Sequence, residues 1–186
     1  MIFNPRTLKT VLGYCVTLVE KMTGFSLKKN KLSCIFNYLQ INPNITTSGQ
    51  PRSNQFDAIR AAGFGKVINL APPAGENSVA DEANILSKMD IDYINIPVDF
   101  SAPSEQDFEQ FVHHMQSHQK QKIWVHCAAN MRVSAFIFRY RTAILGENRQ
   151  TAKDDLLKIW RPNKIWRQFI DKPVPNLLTY IEKLRE

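Results

Sequence analysis

The sequence predicts an α/β domain, in which a central, mostly parallel sheet carries helices on both faces. Three observations predict it. Short runs rich in Val and Ile alternate with longer segments whose apolar residues recur at helical spacing. Turn-forming clusters such as Asn42-Pro43-Asn44 and Pro72-Pro73-Ala74-Gly75 punctuate the alternation. The run Ile123-Trp124-Val125 is apolar on both sides, as in strands buried between two helical layers. A chain of 186 residues with 44 % hydrophobic content is long enough for one such domain.

Residues 1–33 are expected to form an N-terminal extension and residues 34–186 the domain. In the extension Leu8, Val11, Leu12, Cys15, Val16, Leu18, Val19 and Met22 recur at helical spacing. This run is too short and interrupted to cross a bilayer, and no small-residue cleavage site follows it. A helix here is expected to pack on the domain, or to lie on a membrane surface or a partner.

Residues 36–41 and 45–50 are expected as two short strands around the turn at Pro43, with Pro51 as a stop. Ser53 can cap a helix to Ala62, with Phe56 and Ile59 inward and Gly63 as its end. Residues 66–70 are a buried-type strand. A helix over 79–89 carries Ala83 and Leu86 inward and places Asp81 and Glu82 in its first turn. Residues 91–98 form a strand that ends at Asp99, and Ser104 caps a helix to His118 with Phe108, Phe111, Val112 and Met115 inward. Strand 122–125 leads into a loop, and the helix over 135–145 ends at Gly146. Two further helices are expected over 151–160 and 176–184.

The net charge of +7 is uneven. Six of the basic residues, Arg6, Lys9, Lys21, Lys28, Lys29 and Lys31, lie in residues 1–31 against Glu20 alone, so this stretch carries +5 and the rest only +2. A nearly neutral body offers no basic face to nucleic acid. Three widely spaced cysteines, Cys15, Cys34 and Cys127, give neither a disulfide framework nor zinc spacing, so a reducing cytoplasm is expected and no metal. No glycine-rich nucleotide fingerprint appears, and no cofactor is expected.

Chemistry concentrates in residues 123–134. A strand runs straight into His126-Cys127, small and polar residues follow, and a helix begins after Arg132-Val133-Ser134. Free N–H groups of such a loop and of the first helical turn converge on one point, where the helix dipole adds positive potential. A nest of this kind binds an anion and favours thiolate over thiol. A cysteine there is a nucleophile facing an anionic group. In parallel sheets ligands sit at the carboxyl ends of strands, and both Cys127 and Asp99 fall at such ends.

Several stretches together resemble a bacterial family akin to the dual-specificity protein tyrosine phosphatases. They are Ser48-Gly49-Gln50-Pro51, Val67-Ile68-Asn69-Leu70, Ile96-Pro97-Val98-Asp99 and Val125-His126-Cys127, flanked by Asn37-Tyr38-Leu39, Trp160, Pro162-Asn163 and Trp166. The resemblance covers residues 34–172. It implies a phosphatase fold and hydrolysis of a phosphomonoester, borne by a protein or a small molecule, through a phosphocysteine. It implies Cys127 as nucleophile and Asp99 as general acid; Asp107 is the next candidate, though on its helix it is expected to face water. It further implies that His126 tunes the cysteine, that Ser134 donates to the leaving thiolate, and that Ala128, Ala129, Asn130, Met131, Arg132 and Val133 line the phosphate loop.

One feature departs from the pattern. The phosphatase loop places arginine six positions after the cysteine, where this chain has Val133, and Arg132 comes one residue early. A one-residue slip re-aims a guanidinium whose grip depends on direction. Asn130 replaces the usual glycine, a mild change because Asn tolerates positive φ. The Cys127-to-Arg132 spacing fits the tighter loop of rhodanese-like sulfurtransferases, so sulfur transfer is one alternative. A phosphate-binding module with impaired chemistry is the other. Arg139 and Arg141 are expected to be structural.

Overall fold

The computed structural model describes residues 5–23, 32–73, 78–117 and 121–174. Five strands, β1 (Leu39–Asn42), β2 (Ile45–Ser48), β3 (Phe64–Asn69), β4 (Asp92–Asn95) and β5 (Lys122–His126), form one sheet in the order β1-β2-β5-β3-β4. Only β1 runs antiparallel to its neighbour. The register aligns Ser48 of β2 and Asn69 of β3 with His126 of β5. Three strands therefore end at one level, and the loops that follow them meet there.

Strand geometry sends successive side chains to opposite faces. Ile123 and Val125 join one core cluster, and Trp124 between them joins the other. Helices α2 (Phe56–Ala61) and α3 (Glu82–Ser87) cover the Trp124 side with Phe56, Ile59 and Leu86. The larger core lies on the other side, under α4 (Glu105–Gln116), α5 (Met131–Arg139), α6 (Arg149–Ile159) and α7 (Lys164–Asp171). Its aromatic centre packs Phe136 edge-on against Phe111 and stacked on Phe169, at ring-centroid distances of 5.5 and 4.9 Å. The α/β fold with helices on both faces is as the sequence predicts.

Element boundaries differ in instructive ways. The first strand starts only at Leu39, because residues Leu32–Cys34 form a single 3-10 turn. The helix after Asp81 spans six residues, not the expected eleven, and it buries Glu82 while Ala83 is exposed. Helix α5 starts at Met131, four residues earlier than expected, and ends in a π turn over Tyr140–Ile144. Helix α7 has no counterpart among the expected elements. Its signal was present, since Asn163 caps it by accepting from Trp166 N at 3.1 Å, and Trp166, Phe169 and Ile170 share its inner face. The helix expected over 176–184 lies outside the described residues.

The N-terminal extension contains a helix, α1 (Pro5–Thr23). It docks on the end of α6, where Arg6 donates to Leu157 O at 3.0 Å, Thr10 Oγ1 to Ile159 O, and Arg161 N to Thr7 Oγ1 at 3.2 Å. Two of these bonds satisfy carbonyls of the last turn of α6, which have no partner within their own helix.

Arg139 and Arg141 are structural, as expected. Arg139 is fully buried, forks onto Glu105 with bonds of 2.9 and 2.7 Å, and lies over the rings of Phe108 and Phe169. Arg141 joins Glu147 and Asp155. Arg139→Ala removes two of the bonds to the Glu105 carboxylate, which keeps Lys172 at 3.3 Å, and opens a cavity between two rings. The expected cost is about 3 kcal/mol, a fall in Tm of roughly 10 °C, to be measured by thermal and urea unfolding.

Candidate active site

Cys127 follows β5 directly, and α5 begins four residues later. The loop between them is held by its main chain. Gly49 bridges to Ala129, and Gln50 N donates to Ala128 O at 3.2 Å. A Cβ at Gly49 would stand 3.0 Å from Ala128 O and 2.9 Å from the Phe36 ring, so only glycine allows this approach. Two asparagines close the other side. Asn37 Nδ2 donates to Ala129 O at 3.0 Å, and Asn130 Nδ2 donates to Asn37 O at 2.7 Å and to Thr47 Oγ1 at 3.0 Å. Asn130 adopts φ 63°, the left-handed conformation expected of a residue standing in for glycine. Its side chain does not cap α5, so the N–H groups of Met131, Arg132 and Val133 have no acceptor in a preceding turn.

The loop borders a cavity of about 300 Å³. Cys127 is only 1 % exposed, yet it lines this cavity together with Ala128, Ala129, Met131, Arg132 and Phe100. Cys127 therefore stands between the larger core and an opening. Thr10, Val11 and Tyr14 of α1 form part of the wall. The extension thus belongs to the site, which sequence reasoning did not foresee. Its apolar spacing announced a helix and carried no sign of what the helix would face.

The expected site residues divide. Arg132 faces the cavity. Its Nε donates to Val98 O at 2.9 Å, its guanidinium lies 5.3 Å from the Phe100 ring centroid, and neither Nη takes an acceptor among the described residues. Val133 turns the other way, fully buried in the larger core. Asp99 is exposed on the loop after β4 and does not line the cavity. Its Oδ1 accepts from Ser101 Oγ and Ser101 N, each at 2.8 Å. These two bonds hold its carboxyl below the usual range, and Arg132 adds to the effect. Ser134 gives its one hydroxyl proton to Met131 O at 3.0 Å and accepts from Trp160 Nε1 at 3.2 Å. The expected donation to the Cys127 sulfur is thus not made in this arrangement. Asp107 bonds Ser104 in a reciprocal cap of α4, as a structural residue would.

His126 is fully buried under the loop. Its Nε2 lies 2.7 Å from Glu82 Oε1, off the line of a straight hydrogen bond. Glu82 Oε2 accepts from Gln50 Nε2 at 3.2 Å and Asn69 Nδ2 at 3.4 Å, and Asn69 also donates to Tyr93 OH at 3.2 Å. Burial and the nearby Glu82 push the Tyr93 hydroxyl up to about 12. A polar network thus underlies the cysteine, drawn from the ends of three strands and the start of α3. Among the described residues, no group of three His, Cys, Asp or Glu could hold a metal.

A family model described as "DSP-PTPase phosphatase fused to NAD+ Kinase" matches residues 40–164, more than half of the chain. The chain belongs to this family of phosphatases. It is 31 % identical to a DUF442 candidate phosphatase from Shewanella putrefaciens CN-32, over 73 % of this chain and 87 % of that one, with a TM-score of 0.63. Two more distant structures share the fold. The catalytic domain of the PP-IP phosphatase SIW14 from S. cerevisiae is 15 % identical over 81 % of this chain and 93 % of that one, with a TM-score of 0.67. TpbA of P. aeruginosa is 12 % identical over 81 % and 92 %, with a TM-score of 0.62. No curated protein matches the sequence.

Within this phosphatase, Glu82, Gln50 and Asn37 are the residues that sequence reasoning did not assign to the site. Gln50 and Asn37 stood inside the quoted stretches, but nothing in one sequence says where a side-chain amide points. Glu82 reads as one of two acids in a first helical turn, and only the fold reveals that it faces inward. Glu82→Gln puts an NH2 group either toward the Gln50 and Asn69 donors or against His126 Nε2. The expected loss is about 3 kcal/mol, read as a fall in Tm of roughly 10 °C.

Proposed function

We propose that the chain is a cysteine-dependent phosphatase that hydrolyses a phosphomonoester through a phosphocysteine on Cys127. Residues 34–186 would form the catalytic unit, and residues 1–33 an extension that walls its site. The observation that carries this reading is that Cys127 lines a cavity beside an uncapped helix start. Family membership supports the same reaction class. A reducing cytoplasm suits a reaction that needs the free thiol.

In the first step the Cys127 thiolate attacks phosphorus, the S–P bond forms and the P–O bond breaks. The leaving oxygen takes a proton from Asp99. The loop amides from Ala128 to Val133 and the Nη groups of Arg132 hold the equatorial oxygens as charge spreads over them. In the second step water attacks phosphorus, Asp99 takes its proton, and the S–P bond breaks to release phosphate and restore the thiolate. Glu82 would act through His126 as a positioning residue for the cysteine. Arg132 reaches the ligand from one position early because Val98 O and Phe100 brace it.

Val11, Tyr14 and Phe100 give the cavity an apolar lip, which suits an aromatic or aliphatic group next to the phosphate. A phosphorylated protein or a small phosphomonoester could supply it. Among fold relatives, TpbA is described with pTyr and SIW14 as a PP-IP phosphatase, so this fold serves both kinds. A second reading, phosphate binding without turnover, is favoured by the Asp99 and Ser134 bonds described above. The Cys127-to-Arg132 spacing alone speaks for sulfur transfer.

Two measurements test the mechanism. Wild-type protein is expected to hydrolyse an aryl phosphate, and Cys127→Ser to lose at least about a thousandfold in kcat. Tight binding of inorganic phosphate with wild-type turnover below about 0.001 per second between roughly pH 4 and 8 would replace the reaction by the second reading. The acid must be protonated to act, and the Ser101 bonds lower its pKa. The rate is therefore expected to fall as pH rises through that depressed value. Ser101→Ala removes the hydroxyl bond, so the falling limb of the kcat profile should move to higher pH.

A further inference from the structure

Helix α1 is amphipathic in the inverse sense. The side that meets the domain is polar or small: Arg6, Thr7 and Thr10 bond to residues 157–161, and Gly13 packs on Phe36. The opposite side is aliphatic and faces solvent. Leu8, Leu12, Val16 and Val19 are 45, 56, 53 and 57 % exposed, and Cys15 lies exposed among them. At 100° per residue these positions form one stripe. Helices of soluble domains place such a stripe on the core. Here the core is not what it faces.

We propose that α1 seats the protein on an anionic bilayer surface, with this stripe in the boundary between headgroups and acyl chains. Charge chooses the occupant. Residues 1–31 carry six cations and one anion, and Lys9 is exposed on the flank of the stripe. An apolar stripe on a cationic segment is the pattern of helices that lie in the interface of anionic membranes. A second copy of the chain would bring two segments of net +5 face to face, which like-charge repulsion opposes. Lying on the surface is the geometry that fits, because no helix among the described residues is long and apolar enough to cross a membrane. Val11, 41 % exposed, both borders the stripe and lines the cavity, so seating the helix sets the mouth of the cavity beside the headgroups.

The full-length chain tests this with vesicles of phosphatidylcholine, with and without about 30 % phosphatidylglycerol, in co-sedimentation. Wild-type protein is expected to sediment with the anionic vesicles, to stay in solution with the neutral ones, and to be released by salt. The double variant Leu12→Glu, Val16→Glu should partition at least about tenfold more weakly, with its Tm and its soluble aryl phosphate turnover unchanged. Cys127→Ser should bind vesicles as wild type does, which separates this proposal from the fate of the phosphatase mechanism. Absence of wild-type binding, binding that the double variant retains, or a dimer in sedimentation velocity that the double variant dissolves would each overturn it.

Discussion

The curl of main chain after Cys127 keeps its shape through side-chain amides. Asn37 and Asn130 hold it between them: one bonds the Ala129 carbonyl, and the other reaches back to the Asn37 carbonyl. Asn130 accepts a left-handed backbone there, and its buried side chain makes two bonds that glycine could not. Asn37 has positive φ as well, so both ends of the latch use the residue type that combines that conformation with an amide. Asn37 Nδ2 also lies 3.5 Å from Thr10 Oγ1, and Thr10 bonds the end of α6. Helix α1, the latch and the loop therefore form one connected series that runs through Thr10 on the domain-facing side of the helix.

A second set of polar groups works from below. Burying a histidine and a carboxyl group under a loop is costly unless other groups satisfy them. Gln50 and Asn69 do so for Oε2 of Glu82, while its Oε1 faces His126, and Asn69 also fixes the turn after β3 by accepting from Ala71 N at 2.8 Å. These residues leave the ends of β2 and β3, which the parallel register places level with His126. The topology thus supplies the network. No local sequence feature could, because its members are distant in the chain.

This distinction decides how much was legible in advance. Period and punctuation placed the strands and most helices, since burial on a sheet or helix face repeats at short range. The place of Cys127 at the end of a strand was equally legible, because a strand running into small residues is a local pattern, whereas the helix after it was expected only from Ala135 and begins at Met131. Glu82 was not, because inward and outward acids look alike in a first helical turn. Nor was the cavity wall from α1, which depends on hydrogen bonds to residues about 150 positions later. The loop of Asp99 lies between these cases. Its place after a strand was readable, but its height over the site is set by Trp166 Nε1, which donates to Phe100 O at 2.9 Å, and by Phe100 packing on Trp160 and Trp166.

The early arginine follows from where α5 begins. Residues 132 and 133 both lie in the first helical turn and differ by about 100° in direction. Val133 falls on the side that faces the larger core and is fully buried. A guanidinium there would have to leave water for an aromatic and aliphatic cluster, a cost that needs a carboxylate partner such as Glu105 gives Arg139. Position 132 falls on the cavity side, where Val98 O takes the Nε proton and Phe100 supports the plane. Starting the helix at Met131 therefore decides that the cation comes first and the core residue second. The loop between Cys127 and α5 thus ends with an arginine that lines the same cavity as Cys127.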